Sequence, residues 1–420
     1  MQKLDLIGIG AGPFNLSTAA LATSVPGFSS IFLDTKPEFS WHPGMMLPDT
    51  LLQTSFLKDL VTSADPTNPY SFLSYLVKHQ RFYRFINADF RYIKRCEFAD
   101  YLSWVAHSLP NVKFNTTVTG IDTSDSGFTV ETDQGTLYAA NLVIATGNKP
   151  RIPDWAQSYL GKNCFHSSQY MLQSTDLTNR NIVIVGGGQS GLEILLNMMK
   201  RKENQPRSIT LLSRRQTLSP LDESPFVNEF FTPDYVNSFY RISSPSRKTL
   251  TVESQKLASD GASASTLQSL IQELYACDFL GSNYVRPQIL PNREVIGLAR
   301  RKDHYSLTAN NWLSDSVETI DADILVLSTG YKNDIPECLA PLKEQWATDS
   351  RGLPILNKDY SVVQQCAHGG KVYLQNTARF SHGIADPQLS LAAWRSATIL
   401  NAILADNRFY VNDSEGALTW

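Results

Sequence analysis

Cysteine is scarce in this 420-residue chain, and its five copies are scattered: Cys96, Cys164, Cys277, Cys338 and Cys366. No two stand in a Cys-x-x-Cys pair, which argues against a redox-active dithiol and a structural zinc knot. An odd, dispersed set suits a reducing compartment. Charge of one sign is also lacking. The chain carries 37 Lys and Arg against 40 Asp and Glu, a net −3, so no strong field points to nucleic acid or to an anionic membrane. Long apolar runs are absent, and no basic, cleavable leader precedes the first apolar run at residue 4. Neither a membrane span nor a signal peptide is expected, and the expected location is the cytoplasm. No fixed-period repeat and no Ser/His/Asp nucleophile pattern stand out. Neither His42 nor His382 has a second histidine or carboxylate at ligand spacing, so no metal is expected. What remains is a globular composition, 42% hydrophobic and 18% charged, with length for two or three domains and small molecules as the expected partners.

Two glycine-rich turns dominate what is present. The first is Gly8-Ile9-Gly10-Ala11-Gly12-Pro13-Phe14-Asn15, after the apolar run 4–9; the second is Gly186-Gly187-Gly188-Gln189-Ser190-Gly191, after 182–185. Each follows a strand-like run and opens a helix-like one, the context in which a dinucleotide pyrophosphate rests on a helix N-terminus. The pair suggests two nucleotides held near each other, a flavin and the nicotinamide that reduces it. In the first turn Pro13 replaces the last glycine of the usual pattern. Asp34 ends the next strand-like run, where an acid accepts hydrogen bonds from ribose hydroxyls. The second turn matches the full pattern, with Gln189 and Ser190 opening its helix. The run after that helix ends in Ser213-Arg214-Arg215, with no acid. Arginine clasps a 2′-phosphate that a carboxylate would repel, which favours NADPH over NADH.

Continuous β-branched runs recur at 4–9, 31–33, 142–145, 182–185, 209–212, 324–327 and 372–374. Unbroken apolar runs read as strands buried on both faces of parallel sheets. Helix-like stretches lie at 98–108, 191–200, 265–275 and 391–405. Two strand-like runs end in Thr-Gly, at Thr146-Gly147 and Thr329-Gly330-Tyr331; such segments mark crossings between domains in two-dinucleotide flavoproteins. The reading is an α/β chain with two Rossmann-like dinucleotide-binding domains and a small, mostly helical substrate-binding insertion. The expected division is 1–170 with 322–420 for FAD, 171–218 with 281–321 for NADPH, and 219–280 for the insertion.

With these motifs in place, the chain resembles the flavin-dependent N-hydroxylating monooxygenases of siderophore biosynthesis, and is most similar to the bacterial lysine N6-hydroxylases. The residues that carry this are the first turn through Leu16, Phe39-Ser40-Trp41-His42-Pro43-Gly44-Met45, Gln53-Thr54-Ser55-Phe56-Leu57-Lys58-Asp59-Leu60, Gly186 to Gly191, Asp222-Glu223-Ser224-Pro225-Phe226-Val227-Asn228-Glu229, Ser328 to Tyr331, and His382-Gly383-Ile384. The resemblance implies that NADPH reduces FAD, that reduced flavin and O₂ give a C4a-hydroperoxide, and that its distal oxygen passes to a primary amine. The hydroperoxide must be shielded from water.

Residue by residue, the resemblance implies that Gln53 borders the flavin ring and that Asn228 orients the reacting nitrogen, the two catalytic candidates. It implies that Lys58 receives a substrate carboxylate. Trp41, His42 and Met45 shape the surroundings of the flavin, with Thr146 and Gly147 on the FAD side and Tyr331 on the NADPH side. His382 lies in the segment that this family folds onto FAD. Asp260 stands near a position where the ornithine enzymes carry asparagine; it binds substrate, balances a second cationic group, or caps the helix that follows. Lysine is the first expectation for the amine, and histamine, putrescine, cadaverine or diaminopropane are the alternatives. The relatives' habit implies a homo-oligomer, a dimer or tetramer.

Three rivals are weighed. A disulfide reductase needs the dithiol that is missing. A Baeyer–Villiger or general flavin monooxygenase would carry its marker before the second turn, where Gly161 and His166 match only approximately. A redox sensor would bind both nucleotides without turning over an amine.

Overall fold

The structure is a computed structural model that describes residues 3–124, 126–365, 369–411 and 416–420; Cys366 lies outside the described residues. The chain starts with β1 (Leu4–Ile9), turns into α1 (Pro13–Ala22) and returns as β2 (Ser30–Leu33), parallel to β1. Three helices follow, α2 (Phe72–Lys78), α3 (Phe82–Ala88) and α4 (Arg95–Ser108), then the short β3 (Val112–Lys113) beside β2. The meander β4 (Val118–Ser124), β5 (Gly127–Thr132) and β6 (Gly135–Ile144) brings β6 back parallel to β1, with Gly8 opposite Val143. The order of this sheet is β3-β2-β1-β6-β5-β4. β1 and the end of β6 are covered on both faces, which explains their unbroken apolar sequence.

The chain leaves through β7 (Lys149–Pro150) into a second sheet made of β8 (Cys164–His166), β9 (Asn181–Val185), β10 (Ser208–Leu212), β11 (Gln288–Leu290) and, later, the strand at 324–327. Helix α5 (Gln189–Met199) links β9 to β10 as a βαβ unit, its apolar face, with Leu192, Leu195, Met198 and Met199, packed into the core beneath. Between β10 and β11 lies the helical insertion: α6 (Pro225–Asn228), α7 (Pro233–Arg241), α8 (Ser244–Ala258) and α9 (Ala264–Phe279). Its base is stitched by backbone bonds from Leu221 N to Ala262 O (2.8 Å) and from Ala262 N to Ser219 O (3.1 Å). An antiparallel sheet of β12 (Arg293–Arg301), β13 (His304–Asn311) and β14 (Ser316–Ala322) precedes β15 (Ile324–Leu327), which pairs parallel with β9. β16 (Tyr331–Lys332) pairs with β7, so the outward and return crossings run side by side. After α10 (Ala340–Lys343), β17 (Val372–Leu374) joins β6 in the first sheet, and α11 (Arg379–His382) and α12 (Ala392–Leu404) are the last helices among the described residues. α12 packs along α1, with Thr18 Oγ1 donating to Ser396 Oγ at 3.0 Å.

The hydrogen bonding moves one expected boundary. β8 and β15 fall in the stretches 1–170 and 322–420 assigned from sequence to the first nucleotide unit, yet β15 bonds to β9 and β8 bonds to β15. Both belong to the second sheet. A fully buried apolar strand declares burial, not which sheet it completes. Among the described residues, no helix is long and apolar enough to cross a membrane.

Candidate active site at the two glycine turns

The first turn is a cradle that a side chain would fill. Gly10 has φ +87°, and a Cβ there would sit 2.5 Å from the carbonyl of Ala145. α1 starts at Gly12 and Pro13 with no side-chain cap, which leaves the first-turn N–H groups unclaimed. The turn is held from beneath by buried Asn15, whose Nδ2 donates to Gly10 O (2.8 Å) and Ile9 O (3.2 Å). Gln375 Nε2 in turn donates to Asn15 Oδ1 (3.0 Å). Asp34 accepts from Ala11 N (2.8 Å) and Lys36 N (2.9 Å), one bond per carboxylate oxygen, so lone pairs remain for ribose hydroxyls. Beyond β6, Thr146 and Gly147 border a narrow cleft with Gln375, Asn376 and Thr377. Gln375 Oε1, Asn376 Oδ1 and Thr377 Oγ1 are buried there with no hydrogen-bond partner. Such orphans fit a polar ligand's edge.

The second turn repeats the design. Gly186 has φ +120°, and a Cβ there would meet Ser328 O at 2.1 Å. α5 begins at Gly188, again without a side-chain cap. Ser190 lies in its open first turn. Gln189 departs from expectation: its amide is used inside the protein, accepting from Ser263 N (2.7 Å) and donating to Glu193 Oε1 (2.8 Å) and Thr266 Oγ1 (3.0 Å). It ties the turn to the insertion. Arg214 is exposed and Arg215 half-buried at the end of β10, beside the turn: a Cβ on Gly187 would lie 2.9 Å from Ser213 Oγ.

Between the turns stands a cluster from both units. The His42 ring lies 5.3 Å from that of Trp41 and 6.5 Å from that of Tyr331, centroid to centroid, and Trp41 packs edge-on against Phe98 at 5.9 Å. The imidazole is exposed at its edge, yet the protein packed around it, and then the charges of Arg95 and Lys36, hold its pKa below the ordinary histidine value. Tyr331 also packs edge-on against His166 at 5.1 Å, whose Nε2 bonds Gly330 O at 3.0 Å. Gln53 is exposed and lines a cleft of about 190 Å³ shared with Leu47–Leu52 of the first unit, Gln189 and Glu193 of α5, and Ser263 and Thr266 of the insertion. Met45 is buried beneath this loop.

Lys58 and Asn228 come from distant stretches and meet through Glu229. Lys58 is half-buried, its ammonium has no hydrogen-bond partner among the described residues, and burial lowers its pKa while Glu229 opposes that shift. Asn228 is exposed at the end of α6. Glu229 Oε2 accepts from Ala417 N at 2.9 Å, so segment 416–420 reaches this corner.

Asp260 Oδ1 lies 3.5 Å from Arg215 Nη2, at the second turn, and the cap of α9 is Ser263, so capping that helix is not its role. The position of His382 departs from expectation. The His382 ring is fully buried, stacked 4.0 Å from Tyr360, with Nδ1 2.8 Å from Ser381 Oγ and Nε2 3.2 Å from Lys358 O. Both nitrogens are occupied within the core, so the imidazole packs rather than contacts a cofactor. Sequence reasoning also missed Arg95 and Glu193, an ion pair at 2.9 Å between α4 and α5. The available signal was an acid at a buried phase of an apolar helix. Among the described residues no group of three His, Cys, Asp or Glu side chains is placed to hold a metal.

The sequence profile of the L-lysine 6-monooxygenase/L-ornithine 5-monooxygenase family matches residues 2–333. The chain is 37% identical to the L-lysine N6-monooxygenase of Escherichia coli over 421 aligned residues, covering 100% of this chain and 99% of that one. Its fold superposes on DfoA bound to FAD, the cadaverine monooxygenase of Erwinia amylovora, with a TM-score of 0.92 at 27% identity over 100% of this chain and 99% of that one. It also superposes on the ornithine N-hydroxylase KtzI of Kutzneria sp. 744, with reduced FAD, NADP⁺ and L-ornithine, with a TM-score of 0.89 at 28% identity over 96% and 99%.

Proposed function

Because this chain belongs to the L-lysine 6-monooxygenase/L-ornithine 5-monooxygenase family, we propose that the amine it hydroxylates is L-lysine, at N6. It is an FAD- and NADPH-dependent N-monooxygenase that acts on an amine in siderophore biosynthesis. We assign FAD to the first sheet, NADPH to the second, and the amine to the corner where the insertion meets residues 53–58.

Bound FAD supplies the oxygen-transfer chemistry and NADPH the hydride. The residues around them bind, orient and exclude water. Uncapped N–H groups of Gly12, Phe14 and Asn15 and of Gly188–Gly191 take the two pyrophosphates. Asp34 takes ribose hydroxyls, Arg214 and Arg215 the 2′-phosphate, and Gln53 the flavin's edge. Asn228 offers a neutral amide to the reacting nitrogen. That matters because only an uncharged amine is nucleophilic, and a carboxylate there would hold it protonated.

Lys58 carries the choice of lysine over a diamine. A half-buried ammonium without a hydrogen-bond partner is an incomplete site, and an α-carboxylate completes it. Glu229 beside it supplies the opposite charge, which suits the α-ammonium of the same head group. Cadaverine or putrescine brings no anion for Lys58.

The test is a panel of lysine, ornithine, cadaverine, putrescine, diaminopropane and histamine, assayed for hydroxylamine and for NADPH consumed per product. Lysine should couple tightly. Lys58→Ala should raise KM for lysine by about tenfold or more, the loss of one charged hydrogen bond, and change KM for cadaverine much less. Coupled turnover of a diamine or histamine, with lysine yielding only H₂O₂, would overturn the assignment.

A further inference from the structure

The ion pair between Arg215 and Asp260 joins the second glycine turn to the base of the helical insertion. The end of β10 borders that turn, as the closeness of Gly187 to Ser213 shows. Arg215 follows two residues later and uses its guanidinium incompletely. Nη2 meets Asp260 Oδ1 at 3.5 Å, a long single contact, while Nη1 is buried with no hydrogen-bond partner. A guanidinium fork is built for an anion that fills both arms, and one distant carboxylate oxygen does not.

Asp260 is pressed into this place by its loop. A Cβ on Gly261 would lie 2.8 Å from Leu221 N and Ser219 O, so the loop rides directly on the chain leaving β10. Asp260 also has other partners. Gln255 Nε2 donates to Oδ1 at 3.4 Å. Arg379, largely buried and with Nε lacking a partner, is electrostatically coupled to Asp260 and Asp386. The carboxylate therefore faces one cation directly, at the end of β10, and feels a second, Arg379 in α11, electrostatically.

We propose that Asp260 is an internal competitor for the anion-binding fork of Arg215: it occupies the fork when no nucleotide is bound, yields it to the 2′-phosphate of NADPH, and so limits how tightly the nucleotide is held. This rests on the reading of the second turn as the NADPH site. Displaced from Arg215, the carboxylate stays within the electrostatic reach of Arg379 and is itself partly exposed, so displacement strands no buried charge. The device weakens one phosphate contact and leaves the pyrophosphate contacts alone, so it acts on NADPH and NADP⁺ but not on nucleotides lacking the 2′ group.

The test uses FAD-loaded protein and two probes, 2′,5′-ADP and 5′-ADP, titrated by calorimetry against the parent chain, Asp260→Asn, Arg215→Ala and the double variant, with FAD absorbance as the check on folding. Releasing a partly exposed ion pair should tighten 2′,5′-ADP binding in Asp260→Asn by about two- to fivefold and leave 5′-ADP unchanged. Arg215→Ala should weaken 2′,5′-ADP binding by about tenfold or more, and adding Asp260→Asn to it should then change nothing. If Asp260→Asn alters both nucleotides equally, its role is structural and the proposal fails. If it alters neither while raising KM for lysine, Asp260 is a substrate residue and the proposal fails. If Arg215→Ala leaves 2′,5′-ADP binding intact, the assignment of Arg215 to the phosphate is what fails.

Discussion

His382 shows how a histidine flagged by its motif can serve stability instead. Burial, together with the positive charges of Arg395 and Arg247, lowers its pKa to about 3 despite its bond to Lys358 O. The native ring is therefore neutral at any pH above that value. In the unfolded chain it takes up a proton below about pH 6.5, so between those values the unfolded state binds more protons. Stability then rises with pH across that window and is lost as pH falls below about 6.5. At pH 5 the loss from this one group is about 2 kcal/mol, from roughly 1.5 pH units at about 1.36 kcal/mol each. The depressed pKa of His42 adds to the same acid-side loss. Urea midpoints at pH 7.5 and pH 5 should fall further apart for the parent chain than for His382→Asn, which fills similar space without titrating. An equal fall in both would assign the acid sensitivity to other groups.

Segment 416–420 and helix α7 form one aromatic joint. Trp420 packs edge-on against Phe230 and Tyr235, each at 4.8 Å, while Ala417 N holds Glu229. That joint holds the segment that bonds Glu229, the carboxylate whose charge acts on Lys58. Trp420→Ala should raise KM for lysine several-fold and increase H₂O₂ release, with KM for NADPH unchanged. If both KM values rise together, the joint serves general stability rather than the corner proposed for the amine. Such a joint was invisible in sequence because nothing local marks it: Trp420 and Phe230 are 190 positions apart. What was legible follows from physics that acts over short stretches. β1, β9 and β15 are buried on both faces and read as unbroken apolar runs; both glycine turns declare themselves through backbone needs that only glycine meets. β4, β12 and β14 lie in antiparallel pairs with exposed positions along them, and their mixing of apolar with polar residues hid them. The contact of Asp260 was hidden for a related reason: its neighbours in sequence belong to the insertion, while its partner Arg215 ends β10.

The two nucleotide units meet through a charged relay that crosses their boundary and reaches the insertion. Arg95, at the start of α4, places Nη2 2.9 Å from Glu193 Oε1 and Nη1 3.3 Å from Oε2, with Nη1 also donating to Met45 O at 3.1 Å. Glu193 accepts from Gln189, which bonds Ser263 and Thr266. One continuous chain of bonds thus runs from beside His42, through the helix that opens the second turn, to the N-terminus of α9. The two charged side chains are 14% and 6% exposed, so the pair is desolvated and removing one partner strands the other. Hydride transfer needs reacting atoms held about 3–3.5 Å apart, and misplacement by about 1 Å can cost about 100-fold in rate. The relay is placed to fix that separation, since it joins α4, α5 and the N-terminus of α9 across all three units. Glu193→Gln keeps the shape and the bond to Gln189 while removing the charge that holds Arg95. It should slow flavin reduction at saturating NADPH by about tenfold or more, followed as loss of flavin absorbance under anaerobic mixing. FAD content and 2′,5′-ADP affinity should stay near those of the parent chain, because neither glycine turn is altered. A reduction rate equal to the parent's would show that the units hold their mutual geometry without the relay. A parallel loss of FAD would mean that the relay supports the fold of the first unit and not its alignment with the second.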